Sequence, residues 1–234
     1  MVAGHFATAL VAKRLVPRGH LAFYLVIAQL PDFLWHIFHF AGLEPTSPDN
    51  PMMASLDTMH AEMTYSHDLI PTLGWIALVI CVGRAIFGSW GPGWAGAALI
   101  VVHAMCDAAS GHPHYVFGPD TAQLGLGLYG TSPYLAILIE LVFTGAVMAW
   151  VFRADAKAGI RRSRGTLGVW AAVFVGGIAM LVPNANASLV ELTGLGPWSA
   201  LAGTLMPGLV FTYVGMVGAL VWADSRPVTS AVRP

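Results

Sequence analysis

The segment "PGWAGAALIVVHAMCDAAS", residues 92–110, decides the fold class. Its length and apolar character suit a helix crossing a bilayer, which takes roughly 17–25 residues. Yet it carries His103 and Asp107, four positions apart and so on one helix face. Ionisable side chains inside an apolar span are costly and by default mark function. Read outward from this segment, the chain is an all-α integral membrane protein with a polar site built into it.

The composition agrees. Of 234 residues, 56% are hydrophobic and only 10% charged, with a mean hydropathy of +0.69. Soluble domains carry about 25% charged residues, so no polar shell can cover this chain. A net charge of -1 and a pI near 6.7 exclude nucleic acid as the expected partner and leave the lipid bilayer. Cys81 and Cys106 lie in apolar runs and read as small buried hydrophobes rather than a disulfide framework. At the N-terminus the basic residues follow the apolar stretch instead of preceding it, so the start reads as mature protein, not as a signal peptide.

Six apolar runs are long enough to span: 19–42, 66–88, 92–110, 132–152, 166–182 and 199–223. The basic residues alternate with them. Lys13, Arg14 and Arg18 precede the first run, Arg84 closes the second, Arg153 to Arg164 separate the fourth from the fifth, and Arg226 and Arg233 follow the sixth. The other three loops contain no Lys or Arg, which puts both termini in the cytoplasm. Residues 2–15 are too short to span and are rich in small residues, which suit tight helix packing in lipid. They predict a half-helix that enters from the cytoplasmic side and turns at "VPRG", with a surface helix as the alternative. One membrane domain accounts for the chain: residues 1–153 hold the polar site, 154–165 form a basic cytoplasmic loop, and 166–234 a C-terminal helix pair.

All nine histidines occur at or before His114. At about 1.5 Å rise per residue, Asp32 lies roughly 16 Å below the outer end of the first run and His36 about 10 Å. His103 and Asp107 lie about 12 and 6 Å below the outer end of the third, and Glu140 about 12 Å below that of the fourth. His67 stands at the outer mouth of the second run, and His5 on a re-entrant half-helix reaches the same layer from the other side. Asp32/His36 and His103/Asp107 are both i,i+4 pairs. Nitrogen and carboxylate ligands on facing helices suit a divalent metal such as zinc, or a two-metal centre. His36 and His39 also read as polar groups at headgroup level, His20 as interfacial and His60 as solvated. Asp68 and Asp120 read as turn or cap residues, and Glu191 as a loop residue.

"GHFATALVAKRLVPRG", "AQLPDFLW", "TYSHDL", "VHAMCD" and "GLGLYGTSP" come in an order that resembles small bacterial inner-membrane proteins known as membrane-bound metal-dependent hydrolases. The likeness covers roughly residues 1–153. More distantly, the order of His and Asp residues is similar to that of zinc phospholipase C and the zinc-dependent single-strand nucleases. The resemblance implies metal ligation by His5, Asp32, His67, His103 and Asp107, with His112 or His114 filling a later ligand position. At Leu34, where some branches carry a second acid, the likeness breaks, and a full three-metal arrangement is not implied.

These readings predict a phospholipase-like hydrolase with one or two zinc ions, opening to the outer face and acting on a lipid-borne phosphoester. Asp32 would bridge metals, and Glu140 or a remaining histidine would serve as general base. A proton- or metal-ion-coupled transporter is the alternative, since buried Asp, Glu and His also mark ion pathways. A haem protein with histidine axial ligands is the third reading, for which three nearby carboxylates are unneeded.

Overall fold

The computed structural model describes residues 1–48, 53–194 and 205–225. Helix α1 (Val2–Leu15) is buried on nearly every side, as expected of a helix that is apolar all round. Its small residues Ala3, Gly4, Ala7 and Ala9 let neighbouring helices close in on it. The chain turns after Leu15, where Lys13 Nζ donates to the carbonyls of Pro17 and Gly19 and the Tyr24 phenol donates to that of Val16. Helix α2 (Leu21–Ala28) then runs back along α1, so that Gln29 at its far end donates to the carbonyl of Val2 at 3.0 Å.

The first expected span, 19–42, is bent rather than straight. Helix α2 and α3 (Leu30–Phe40) meet at 59° across Gln29. Pro31 lies in the first turn of α3, where its missing N–H costs nothing. Next comes a hairpin of α4 (Leu69–Phe87) and α5 (Trp90–Ser110), turned through Gly88 in the left-handed region. A Cβ on Gly83 would stand 2.5 Å from the Cα of Gly93, and one on Gly93 would stand 2.5 Å from the carbonyl oxygen of Ile80. Only glycine lets the two backbones touch here.

The short α6 (Leu128–Thr131) leads into α7 (Pro133–Lys157). Helix α8 (Arg164–Trp170) runs through a π-helical turn (Ala171–Gly176) into α9 (Gly177–Leu181), making one apolar helix of 18 residues. The short α10 (Leu189–Thr193) precedes α11 (Leu205–Asp224). Two two-residue antiparallel ladders close the loops at one end: β1 (Thr46–Ser47) on β2 (His60–Ala61), and β3 (His114–Tyr115) on β4 (Gln123–Leu124). Among the described residues, four helices (α4, α5, α7 and the α8–α9 unit) are long and apolar enough to cross a membrane, or five if the bent α2–α3 pair is one span. Of the sixth expected span, residues 199–204 lie outside the described residues, and α11 occupies the rest.

At the end opposite the ladders, one carboxylate ties several helices together. Asp155 on α7 accepts two hydrogen bonds from the Arg14 guanidinium of α1 and two from Arg162, which also donates to Asp224 of α11. Both arginines lie over the Trp170 ring, at 5.9 and 5.1 Å. This clamp fixes the base of α1, the helix whose other end enters the polar site.

Candidate metal centre

The bend at Gln29 places Asp32 where it meets the end of the α4–α5 hairpin. One ligand-type atom from each of Asp32, His67, His103 and Asp107 lies within 4.8 Å of all the others. His103 Nε2 is 2.9 Å from Asp107 Oδ2 and 3.5 Å from His67 Nε2. His67 Nε2 is in turn 3.5 Å from Asp32 Oδ1 and 3.8 Å from Asp107 Oδ2. Three of the four residues are buried and Asp32 nearly so.

The outer hydrogen bonds of the two imidazoles set which nitrogen faces inward. His103 Nδ1 donates to the carbonyl of Ala28 at 2.8 Å, at the α2–α3 break. That bond puts the proton of a neutral ring on Nδ1 and leaves a lone pair on Nε2. His67 Nδ1 is hydrogen-bonded to Ser66 Oγ at 2.7 Å, and its Nε2 also points into the group. Two imidazole Nε2 atoms and two carboxylate oxygens thus converge in a buried space. A proton on one nitrogen satisfies one contact; a divalent cation satisfies all four. The donor set of nitrogens and carboxylate oxygens, with its outer hydrogen bonds in place, suits such an ion.

Helix α1 supports this group instead of joining it directly. His5 Nε2 lies 3.1 Å from Asp107 Oδ1, on the carboxylate's other edge, and its ring stacks on that of His103 at 3.7 Å. The Met1 amino group donates to the same Oδ1 at 2.9 Å. Glu140 on α7 accepts the Ala3 N–H at 2.9 Å, so it caps the positive end of α1 and does not line the cavity described next.

Asp32, His67 and Asp107 form one wall of a cavity of about 240 Å³, and His103 is buried outside its lining. Its remaining lining is largely apolar, including Trp35, Leu56, Met59 and Leu181, and contains no Lys or Arg. His112 and His114 line it as well, outside the four-residue group. The His114 ring lies parallel to that of His67 at 5.2 Å, and both of its nitrogens lack partners, as does His112 Nε2. Burial in the wall pushes His112 down to about 4 and His114 to about 3, so both stand neutral at physiological pH.

Some features could not be read from the sequence. Tyr213 on α11 donates its phenol to Asp32 Oδ2 at 3.4 Å and lines the cavity, so the C-terminal helices also build the site. The Ala28 carbonyl and the Met1 amine are backbone groups with no side-chain signature. His36, read at headgroup level, is instead buried against Trp35 and Tyr213, because α3 leans inward after the bend. Asp68 accepts the N–H groups of Tyr115 and Gly118, and Glu191 completes a capping box with Ser188. No family model, no curated protein and no solved structure matches this chain.

Proposed function

We propose that this is a multi-pass inner-membrane hydrolase that uses a divalent metal, zinc by its donor set, on a lipid-borne phosphoester. The observation that carries the proposal is the convergence of His67 Nε2, His103 Nε2, Asp32 Oδ1 and Asp107 Oδ2, a group of which Asp32, His67 and Asp107 line a largely apolar cavity. These four residues would hold the ion, which would supply Lewis-acid activation of water and of the ester oxygen. Asp107 is steadied from behind by His5 and the Met1 amine, and Asp32 by Tyr213. His112 Nε2 and both nitrogens of His114, without partners among the described residues, give the cavity wall neutral imidazoles that can hydrogen-bond a substrate oxygen or water. The apolar lining excludes water and favours a substrate with a hydrocarbon body. The family resemblance of residues 1–153 supports the same reading, as does the distribution of basic residues. Under it, six spans leave both termini in the cytoplasm, α1 is a re-entrant half-helix, and the cavity faces the outer leaflet.

The test pairs elemental analysis of the purified protein with headgroup release from phospholipid vesicles. Near-stoichiometric metal and release abolished by chelation are expected. Metal-free protein that takes up no added zinc would refute the reading. A metal-coupled transporter is the second reading, favoured by Glu140, whose Oε2 is buried without a partner beside the site. Ion flux in liposomes without ester cleavage would select it.

A further inference from the structure

A second cavity, of about 290 Å³, lies between α4 and α5 at the end that carries the cluster. Leu69, Leu73 and Ile76 line it from α4, and Val101, Met105 and Ala108 from α5. Each trio follows the i, i+4, i+7 spacing of one helix stripe. Ala104 lies between the α5 residues and leaves the trough open. Leu73 is 57% and Met105 66% exposed. Both belong to helices apolar enough to span, so the trough faces lipid, not water. Thr72 donates to the carbonyl of His67 and offers the trough no free polar group. Among the described residues, no Lys, Arg, Asp or Glu lines it.

The inner end of this trough is formed by His67 and His114, and the same two residues line the metal-centre cavity. The two spaces therefore meet across a pair of stacked imidazoles, one of which belongs to the cluster. At this volume the trough is below the ~300–1,000 Å³ of sites that enclose a drug-sized ligand. An apolar wall without charged side chains fits a single hydrocarbon chain and offers a charged headgroup no partner.

We propose that the α4–α5 trough holds an acyl chain of the lipid whose ester lies at the metal cluster, so that substrate enters sideways from the bilayer. This rests on the hydrolase reading for what happens at the cluster, but not for the occupancy of the trough. The backbone contact of Gly83 with Gly93 closes the α4–α5 seam toward the hairpin turn, and the trough opens at the end near His67.

The experiment uses the full chain in vesicles of phosphatidylethanolamine and phosphatidylglycerol containing a phospholipid with a diazirine on its acyl chain. After irradiation, adducts are mapped by mass spectrometry. Adducts at Leu73, Ala104 and Met105 are expected to exceed those at Leu138 and Val142, exposed residues of α7, by about tenfold. Ala104→Leu, which fills the trough, is expected to cut the Leu73 and Met105 adducts at least fivefold. Adducts spread evenly over all lipid-facing residues would overturn the proposal, as would crosslinks between two copies of the chain in their place. Because adducts are read without turnover, a lipid-filled trough in a protein that cleaves nothing would sink the hydrolase reading and leave this one standing. If Ala104→Leu does not fold, the wild-type distribution alone decides.

Discussion

The phenol of Tyr213 and the carboxylate of Asp32, 181 positions apart, meet at 3.4 Å. The contact takes Oδ2 and leaves Oδ1 toward His67. It is the point at which the last helix enters the metal centre.

Tyr213→Phe keeps the ring packing against Phe6, Phe33 and His36 and deletes only the hydroxyl. Metal affinity should fall about tenfold, in the range of such outer-shell losses. The visible spectrum of the cobalt-substituted protein should change with it. Unchanged affinity and spectrum would show that the phenol does not orient Asp32.

Asp107→Asn and His103→Ala should each reduce bound zinc to a small fraction of wild type, measured by elemental analysis. Ser66→Ala leaves every proposed ligand intact and frees only the His67 ring. It should weaken zinc by roughly tenfold without abolishing binding. Chelation should lower the thermal midpoint of wild type and leave that of Asp107→Asn unmoved, since only a protein that binds the ion gains its linkage energy.

Asp155→Asn removes the carboxylate charge that pairs with the largely buried Arg14 guanidinium and leaves Arg162 with Asp224 alone. Breaking a buried pair from one side costs about 3–5 kcal/mol, so a large drop in thermal midpoint is expected. Because α1 carries both Arg14 and His5, zinc affinity should fall as well, although Asp155 is at the opposite end of the molecule. Zinc affinity equal to wild type would show that the clamp does not hold α1 in place.

His112 and His114 are held near 4 and 3, both below the ordinary 6.5. Below pH 6.5 the unfolded chain takes up protons at these positions and the folded chain does not, so stability rises with pH through this window and levels off above it. Each histidine should cost about 1.4 kcal/mol per pH unit on descent from 6.5 toward its folded value. Thermal scans of metal-free protein in detergent measure the slope, and a His112→Gln/His114→Gln variant should flatten it. An equally steep slope in the variant would place the titration elsewhere.

Much was legible along the chain because it depends on local repeats. Apolar run length marked α4, α5, α7 and the α8–α9 unit, and helical spacing put His103 and Asp107 on one face. The small residues of α1 and its lack of a polar face announced burial, and α1 is buried. A rise per residue puts Asp32, His67, His103 and Asp107 in the outer-to-middle layer, and the family resemblance implies them as one ligand set; the four do converge.

What only the tertiary structure decided is which atoms of those residues meet. The 59° break at Gln29 turns the Ala28 carbonyl onto His103 and carries His36 into the interior, and no period in the sequence encodes that direction. Packing of α1 against α5 and α7 sets His5 on the outer edge of Asp107, next to the four-residue group, and brings Glu140 onto the α1 N-terminus. Tyr213 had no signal at all, since one tyrosine in an apolar helix is indistinguishable from core. Composition and periodicity determine which helices form and which faces are polar, because both are properties of neighbouring residues. Convergence to within hydrogen-bonding distance depends on how separate helices rotate and bend against each other, and that is a property of the packed whole.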